Sequence, residues 1–260
     1  MNILDHIIAK KKVEIEIRKK EQSIDSFKKE KLFSRPTFSL RSFLLDPERT
    51  GIIAEFKRSS PSKGVINAKA DVIAVTGAYA KSASGVSVLT DRVFFGGKSG
   101  DLIAARVHDI PILRKDFMID PYQVYEAKAM GADVILLIAA CLTKAVVQSM
   151  AALAKSLQLE VLLEIHDESE LGYICEEVDL VGVNNRNLKT FEVSIQNSLE
   201  LINKIPSDKL AIAESGISDV NTIVTLRNAG FKGFLIGENF MKETDPSIAF
   251  ADFVNQLKAT

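Results

Sequence analysis

Cysteine is nearly absent: Cys141 and Cys175 are the only two in 260 residues. Two cysteines make no disulfide scaffold, and neither stands at metal-ligand spacing, so a reducing compartment is expected. An excess of one charge is missing as well. The 33 Lys and Arg against 34 Asp and Glu leave a net charge of −1, which gives no general attraction to nucleic acid or anionic membrane, so any anion site must be local. Apolar runs are short; VILLIAACL (134–142) is about half of what spans a bilayer. The stretch MNILDHIIAKKK places its charges after its apolar residues, the reverse of a secretory signal. These absences point to the cytoplasm, without nucleic-acid or membrane partners. What is present is ordinary for a globular chain, 47% hydrophobic and 26% charged, and long enough for one large domain or two small ones.

From Gly51 onward, short apolar runs alternate with amphipathic segments. The runs are IIAEFK (52–57), GVSVLTD (85–91), PILRKDF (111–117), VILLIAA (134–140), VLLEIH (161–166), LVGVNN (180–185), LAIAESG (210–216) and GFLIGE (233–238). Between them lie helix-like stretches such as DPYQVYEAKAMGA (120–132) and SDVNTIVTLRNAG (218–230), the latter with Ser218 as N-cap and Gly230 as C-cap candidates. Strand, helix, strand at this spacing implies parallel βα units, and about eight of them close into a (β/α)8 TIM barrel. The competitor, an open doubly wound sheet, usually carries GxGxxG after its first strand, and that fingerprint is missing. The expectation is one barrel domain over 51–260 with a helical extension over 1–50. In that extension Ile3, Leu4, Ile7 and Ile8 have helical spacing. VEIEIR (13–18) alternates with period two and stays open between helix and strand. The lysines between Lys10 and Lys31, interleaved with glutamates, read as a solvated helix face.

The first run breaks its own rule. Ile52, Ile53 and Ala54 suit a strand covered on both faces, yet Glu55 and Lys57 follow on one shared face. Five of the other runs behave likewise: polar residues gather at their C-terminal ends, with Lys115, Asp116, Glu164, Asn184, Asn185, Arg186, Glu214, Ser215, Gly216, Gly237 and Glu238, while the starts stay apolar. In a barrel these ends form the catalytic rim. Glu55, Glu164 and Glu214 around Lys57 and Lys115 would nearly neutralise one another, and neighbouring carboxylates would keep each lysine charged despite burial. Ser215, Gly216 and Gly237 offer backbone N–H groups after the last two strands, where this architecture holds phosphate. Glu238 would repel a phosphate, so only its N–H is expected to serve, with the side chain turned away.

With these residues assembled, the chain resembles the indole-3-glycerol phosphate synthase family. The motifs are IIAEFKRSSPSKG (52–64), LTDRVFFGG (89–97), PILRKDFMIDPYQVYEAKAMGAD (111–133), LLEIH (162–166), VGVNNRNL (181–188), AIAESGI (211–217) and FLIGENFM (234–241), over essentially the whole length. The resemblance implies closure, decarboxylation and dehydration of 1-(2-carboxyphenylamino)-1-deoxyribulose 5-phosphate, without metal or organic cofactor. It implies Lys115 as the general acid of ring closure, Lys57 as holder of the anionic substrate and helper in dehydration, and Glu55 and Glu164 as proton-handling groups. Asn184 and Glu214 would orient hydroxyls and lysines. Ser215, Gly216 and Gly237 would hold the phosphate, and Phe95, Phe117 and Leu136 would seat the aromatic ring. Family members often carry Ser where Glu238 stands, which removes a hydroxyl donor.

Other residues have plainer readings. His166 shares the Glu164 face and reads as a hydrogen-bonded structural histidine; Asp116 faces away from Lys115 and reads as a structural ion pair. Arg186 could clamp a strand-end carboxylate or touch substrate. SSPSKG reads as a mobile loop over the mouth, with Ser60 on it as a substrate contact. A monomer acting on a phosphorylated small molecule is expected. Two alternatives stand beside it: another phosphate-binding barrel enzyme such as phosphoribosylanthranilate isomerase, whose early cysteine is replaced here by Glu55 and Lys57, and a non-catalytic phospholigand-binding barrel.

Overall fold

A computed structural model describes residues 3–187 and 192–260; Leu188, the last residue of VGVNNRNL, lies outside them. Among the described residues eight parallel strands close into a barrel: β1 (Ile52–Phe56), β2 (Gly85–Leu89), β3 (Ile112–Lys115), β4 (Val134–Ile138), β5 (Glu160–Ile165), β6 (Leu180–Asn184), β7 (Leu210–Glu214) and β8 (Gly233–Ile236). Each pairs with its sequence neighbours, and β8 closes on β1 through Ile52 opposite Phe234. This is the TIM barrel expected from the run spacing.

The period of two divides the apolar side chains between two cores. Ile53, Leu113, Val134, Leu136, Ile138, Leu162, Leu180, Leu210, Ile212 and Leu235 fill the barrel interior. The residues between them, such as Ile52, Ala54, Ile112, Ile135, Val161, Val181 and Ala213, pack outward against the helices. A short helix, Leu40–Leu45, plugs the N-terminal end of the barrel with Leu40 and Leu44. Glycine at the start of β2 makes room for it, since a Cβ on Gly85 would lie 2.6 Å from Leu40 Cδ1.

Helix boundaries follow local chemistry. Pro121–Met130 begins with an Asp120–Gln123 capping box and Pro121 at its first turn, and ends at Gly131, φ 87°. The helix Val220–Ala229 ends at Gly230 as expected, but its N-cap is Asp219, not Ser218: Asp219 Oδ1 accepts the Thr222 N–H at 2.9 Å. One connection departs from the βα pattern. After β5 the chain forms a 3-10 stretch, Glu168–Tyr173, because His166–Asp179 is too short to hold a strand-length helix and two turns.

The N-terminal helix α1 (Ile3–Glu21) includes VEIEIR, so the helical reading prevails. Its buried face is Ile7, Lys11 and Ile15, spaced four apart as a helix requires. Lys11 corrects the expectation of a uniformly solvated lysine face: it is 1% exposed and lies within 2.9 Å of Glu14, Asp91 and Asp116 carboxylates. Among the described residues no helix is long and apolar enough to cross a membrane.

Candidate active site

Six of the eight interior rows, continued by two residues toward the C-terminal rim, turn from apolar to polar side chains or, at the last strand, to glycine. Ile53 leads to Glu55 and Lys57, Leu113 to Lys115, Leu162 to Glu164, Leu180 through Gly182 to Asn184, Ile212 to Glu214 and Leu235 to Gly237. The acid and base that end β1 therefore point inward together because alternation puts them there. They line a cavity of about 590 Å³, a size suited to a small phosphorylated ligand.

Lys115 is at the centre. Its Nζ donates to Glu164 Oε2 at 3.0 Å and lies 3.5 Å from Glu214 Oε2. Glu164 Oε1 accepts from Asn184 Nδ2 at 2.9 Å and lies 3.2 Å from His166 Nε2. Beside them Lys57 Nζ pairs with Glu55 Oε1 at 2.9 Å. Glycines let the carboxylates lie against the wall. A methyl on Gly182 would overlap Glu214 Oε1, and one on Gly237 would come within 2.5 Å of Glu55 Oε1.

The charges set one another's protonation. Burial disfavours the Lys115 ammonium, but Glu164, Glu214 and Glu55 outweigh it and hold the amine well above the ordinary lysine range. Burial also works against the Glu164 carboxylate, yet Lys115, His166 and Asn184 keep it well below the usual range. Glu214 goes the other way: burial, with Glu164 and Glu55 nearby, raises it to about 8 against the pull of Lys115. Its Oε1 is buried without a hydrogen-bond partner among the described residues. Burial disfavours the His166 cation, but the Glu164 and Glu170 carboxylates, 3.2 and 3.4 Å from its ring nitrogens, outweigh it and raise the group to about 10.

The cavity is lined by Phe95 and Phe117, whose ring centroids are 6.0 Å apart, and by Leu136 and Ile138. Ser215, Gly216 and Gly237 line it as well; Ser215 and Gly216 both adopt positive φ, 65° and 75°, and Gly237 precedes the short helix Glu238–Met241. Ser215 is the unusual member, since a side chain is strained there, and such strain gathers at functional sites. Ser60 borders the cavity from a two-stranded hairpin, Ser59–Ser60 with Gly64–Val65, formed by the SSPSKG segment and Val65. Arg186 borders it too, its backbone N–H donating to Asn184 Oδ1 at 3.0 Å.

Every residue singled out for the site thus borders one cavity. Glu238 has a partner: its carboxylate lies 3.8 Å from the exposed Lys63 ammonium of the hairpin, and both residues border the cavity. The opposite charge offsets it, and nothing in the sequence pairs positions so far apart. Asp116 forms the expected structural ion pairs: burial works against its carboxylate, but Lys11 and Arg114 hold it at about 2. Sequence reasoning missed Ile3, Leu4 and Ile7 of α1, which also line the cavity. Their helical spacing was visible; the surface they dock on was not.

The profile of the family described as indole-3-glycerol phosphate synthase matches residues 4–253. A relative of that description from Bacteroides thetaiotaomicron is 46% identical over 259 residues, covering 99% of each chain. The chain belongs to the indole-3-glycerol phosphate synthase family. A second such relative, from Polaromonas, is 45% identical over 96% of this chain and 97% of its own. Among solved structures, the 3-hexulose-6-phosphate synthase from Salmonella typhimurium superposes with a TM-score of 0.63 at 12% identity, over 80% of this chain and 98% of that one. A chain of the tryptophan synthase complex from Pyrococcus furiosus gives 0.61 at 15% identity, over 82% and 99%. At these identities the two structures share only the barrel with this family member.

Proposed function

We propose that the cavity at the barrel mouth closes, decarboxylates and dehydrates 1-(2-carboxyphenylamino)-1-deoxyribulose 5-phosphate, giving indole-3-glycerol phosphate, carbon dioxide and water, with Lys115 as the acid of ring closure. Family membership makes the chain a decarboxylating lyase of tryptophan biosynthesis. The observation that carries the residue roles is the Lys115 ammonium held between Glu164 and Glu214 in a cavity lined also by Phe95 and Phe117 and by Ser215, Gly216 and Gly237.

In the first step the ring carbon bearing the carboxylate attacks the ketone carbon. The ketone π pair moves to oxygen, which takes a proton from Lys115. The amine is strongly basic at rest, but the oxygen becomes basic only as the bond forms, so transfer is favourable in the transition state and not before. Loss of carbon dioxide returns its bonding pair to the ring and restores aromaticity; the apolar wall of Phe95, Phe117, Leu136 and Ile138 favours it by leaving the carboxylate poorly hydrated. Dehydration removes the new hydroxyl as water, with Lys57 giving a proton and Glu55 or Glu164 accepting one from carbon. Asn184 and Glu214 orient the lysine and the substrate hydroxyls, and Ser60 and Arg186 close over the substrate.

Charge supports this division. A neutral Glu214 lets Lys57, Lys115 and His166 balance Glu55, Glu164 and Glu170, so this cluster adds no net negative charge beside an anionic substrate. We further take the chain to work in the cytoplasm as a monomer, residues 1–50 and 51–260 acting as one domain, without cofactor, nucleic acid or membrane. The protein has no tryptophan, so indole emission on adding substrate has little background. Emission growing in proportion to enzyme, with one carbon dioxide per indole, is expected; purified protein giving neither refutes the reading.

A further inference from the structure

Burying an ammonium is costly, and an apolar side chain of similar volume usually packs as well. Lys11 is nevertheless 1% exposed, in a helix that precedes the barrel. Its Nζ lies 2.8 Å from Asp91 Oδ2 and 2.9 Å from Asp116 Oδ1. Those two aspartates follow adjacent strands, β2 and β3, and each fixes a piece of backbone. Asp91 caps the helix Arg92–Phe95, its Oδ1 accepting the Phe94 N–H at 2.8 Å. Asp116 Oδ1 accepts the Phe117 N–H at 2.8 Å, and its Oδ2 accepts the Thr90 hydroxyl at 2.7 Å. The backbone carrying Phe95 and the backbone carrying Phe117 thus share one cation. A second contact joins the same parts: the His6 ring meets the Phe94 ring edge-on at 5.8 Å. One turn before Lys11, Ile7 borders the cavity.

We propose that Lys11 is a positioning residue of the active site: its ammonium clamps Asp91 and Asp116 and so fixes the Phe95–Phe117 pair beneath the N-terminal helix. The inference rests on the reading above, in which those rings seat the aromatic part of the substrate. A seat contacts substrate and transition state alike, so loosening it raises KM more than it lowers kcat.

The test compares Lys11→Met with wild type in substrate kinetics and against two half-molecule competitors, N-methylanthranilate for the ring end and glycerol 3-phosphate for the phosphate end. For Lys11→Met, KM rises about ten-fold or more, kcat changes less than about three-fold, and the N-methylanthranilate inhibition constant rises with KM while that of glycerol 3-phosphate stays put. The double variant Lys11→Met/Asp91→Asn, which retains a capping acceptor and removes a charge, guards against misfolding and gives the same pattern. Unchanged KM, equal weakening of both competitors, or wild-type KM in the double variant overturns the proposal. Failure of both variants to fold also overturns it, in favour of a purely structural staple. A wild type without turnover sinks the parent reading instead; a wild type that turns over beside an indistinguishable Lys11→Met sinks only this one.

Discussion

Replacing Lys115 by Met removes the proposed acid while keeping a long side chain along the barrel wall. General acid catalysis of this kind is worth roughly 10²- to 10⁴-fold, or about 3 to 5.5 kcal/mol of barrier. The effect on stability is worked from the same contacts. Stripping one partner from a buried ion pair costs about 3–5 kcal/mol when the other is left alone. Here it is not left alone: Glu164 keeps Asn184 at 2.9 Å and His166 at 3.2 Å, and Glu214 already favours its neutral form. The Met side chain also escapes the desolvation of the ammonium, several kcal/mol by itself at this depth. The terms nearly cancel, so stability is expected to stay unchanged or rise. For a chain of this size 1 kcal/mol corresponds to about 2–4 °C in Tm. The assay pairs indole emission with thermal unfolding by circular dichroism. Turnover down at least about a hundred-fold with Tm held or raised is the expected result. Activity retained within about ten-fold refutes Lys115 as the acid; a Tm drop beyond about 8 °C refutes the compensation argument.

Glu214 titrates high because burial and its fellow carboxylates favour the proton, so kcat/KM should fall as pH rises through about 8. The folded state holds that proton more tightly than the unfolded chain, so stability should also fall as pH rises toward 8; Glu214→Gln, which mimics the protonated acid, should flatten both profiles, and a variant with the wild-type alkaline limb would contradict the assignment. In Gly182→Ala the added methyl, which overlaps Glu214 Oε1, must displace that carboxylate from its position beside Lys115. A misplacement of this size can cost about 10²-fold in kcat, with a stability loss of about 1–3 kcal/mol; a wild-type kcat would show that Glu214 is not held for function.

How much of this could be read beforehand depended on how local each cause was. Glu55 with Lys57, and Leu162 with Glu164, share a face because a strand repeats every two residues, and that period is visible in the letters. Gly131 and Gly230 end helices through their own backbone freedom, and Asp120 with Gln123 caps one through contacts three residues apart. Where two neighbours competed for one role, Ser218 against Asp219, the choice turned on which backbone was extended, and composition did not decide it. The 3-10 stretch after β5 depended on the distance its connection had to cover.

Other features had no local sign. Arg114 is fully buried between β3 and the helix Pro121–Met130, where Glu126 meets it at 2.6 Å and Asp116 at 3.2 Å. In the sequence it looks like one more charge beside Lys115. Lys11 looks like one lysine of a basic run, and Lys63 like a loop residue far from Glu238. The sequence by itself determined the alternation that built the barrel, the apolar starts and polar ends of its strands, and the family motifs, because each depends on residues a few positions apart. Only the tertiary structure decided which charges are compensated and what roofs the cavity. Ion pairing and helix docking act through space between residues far apart in the chain, and burial makes them strong enough to set protonation at the site.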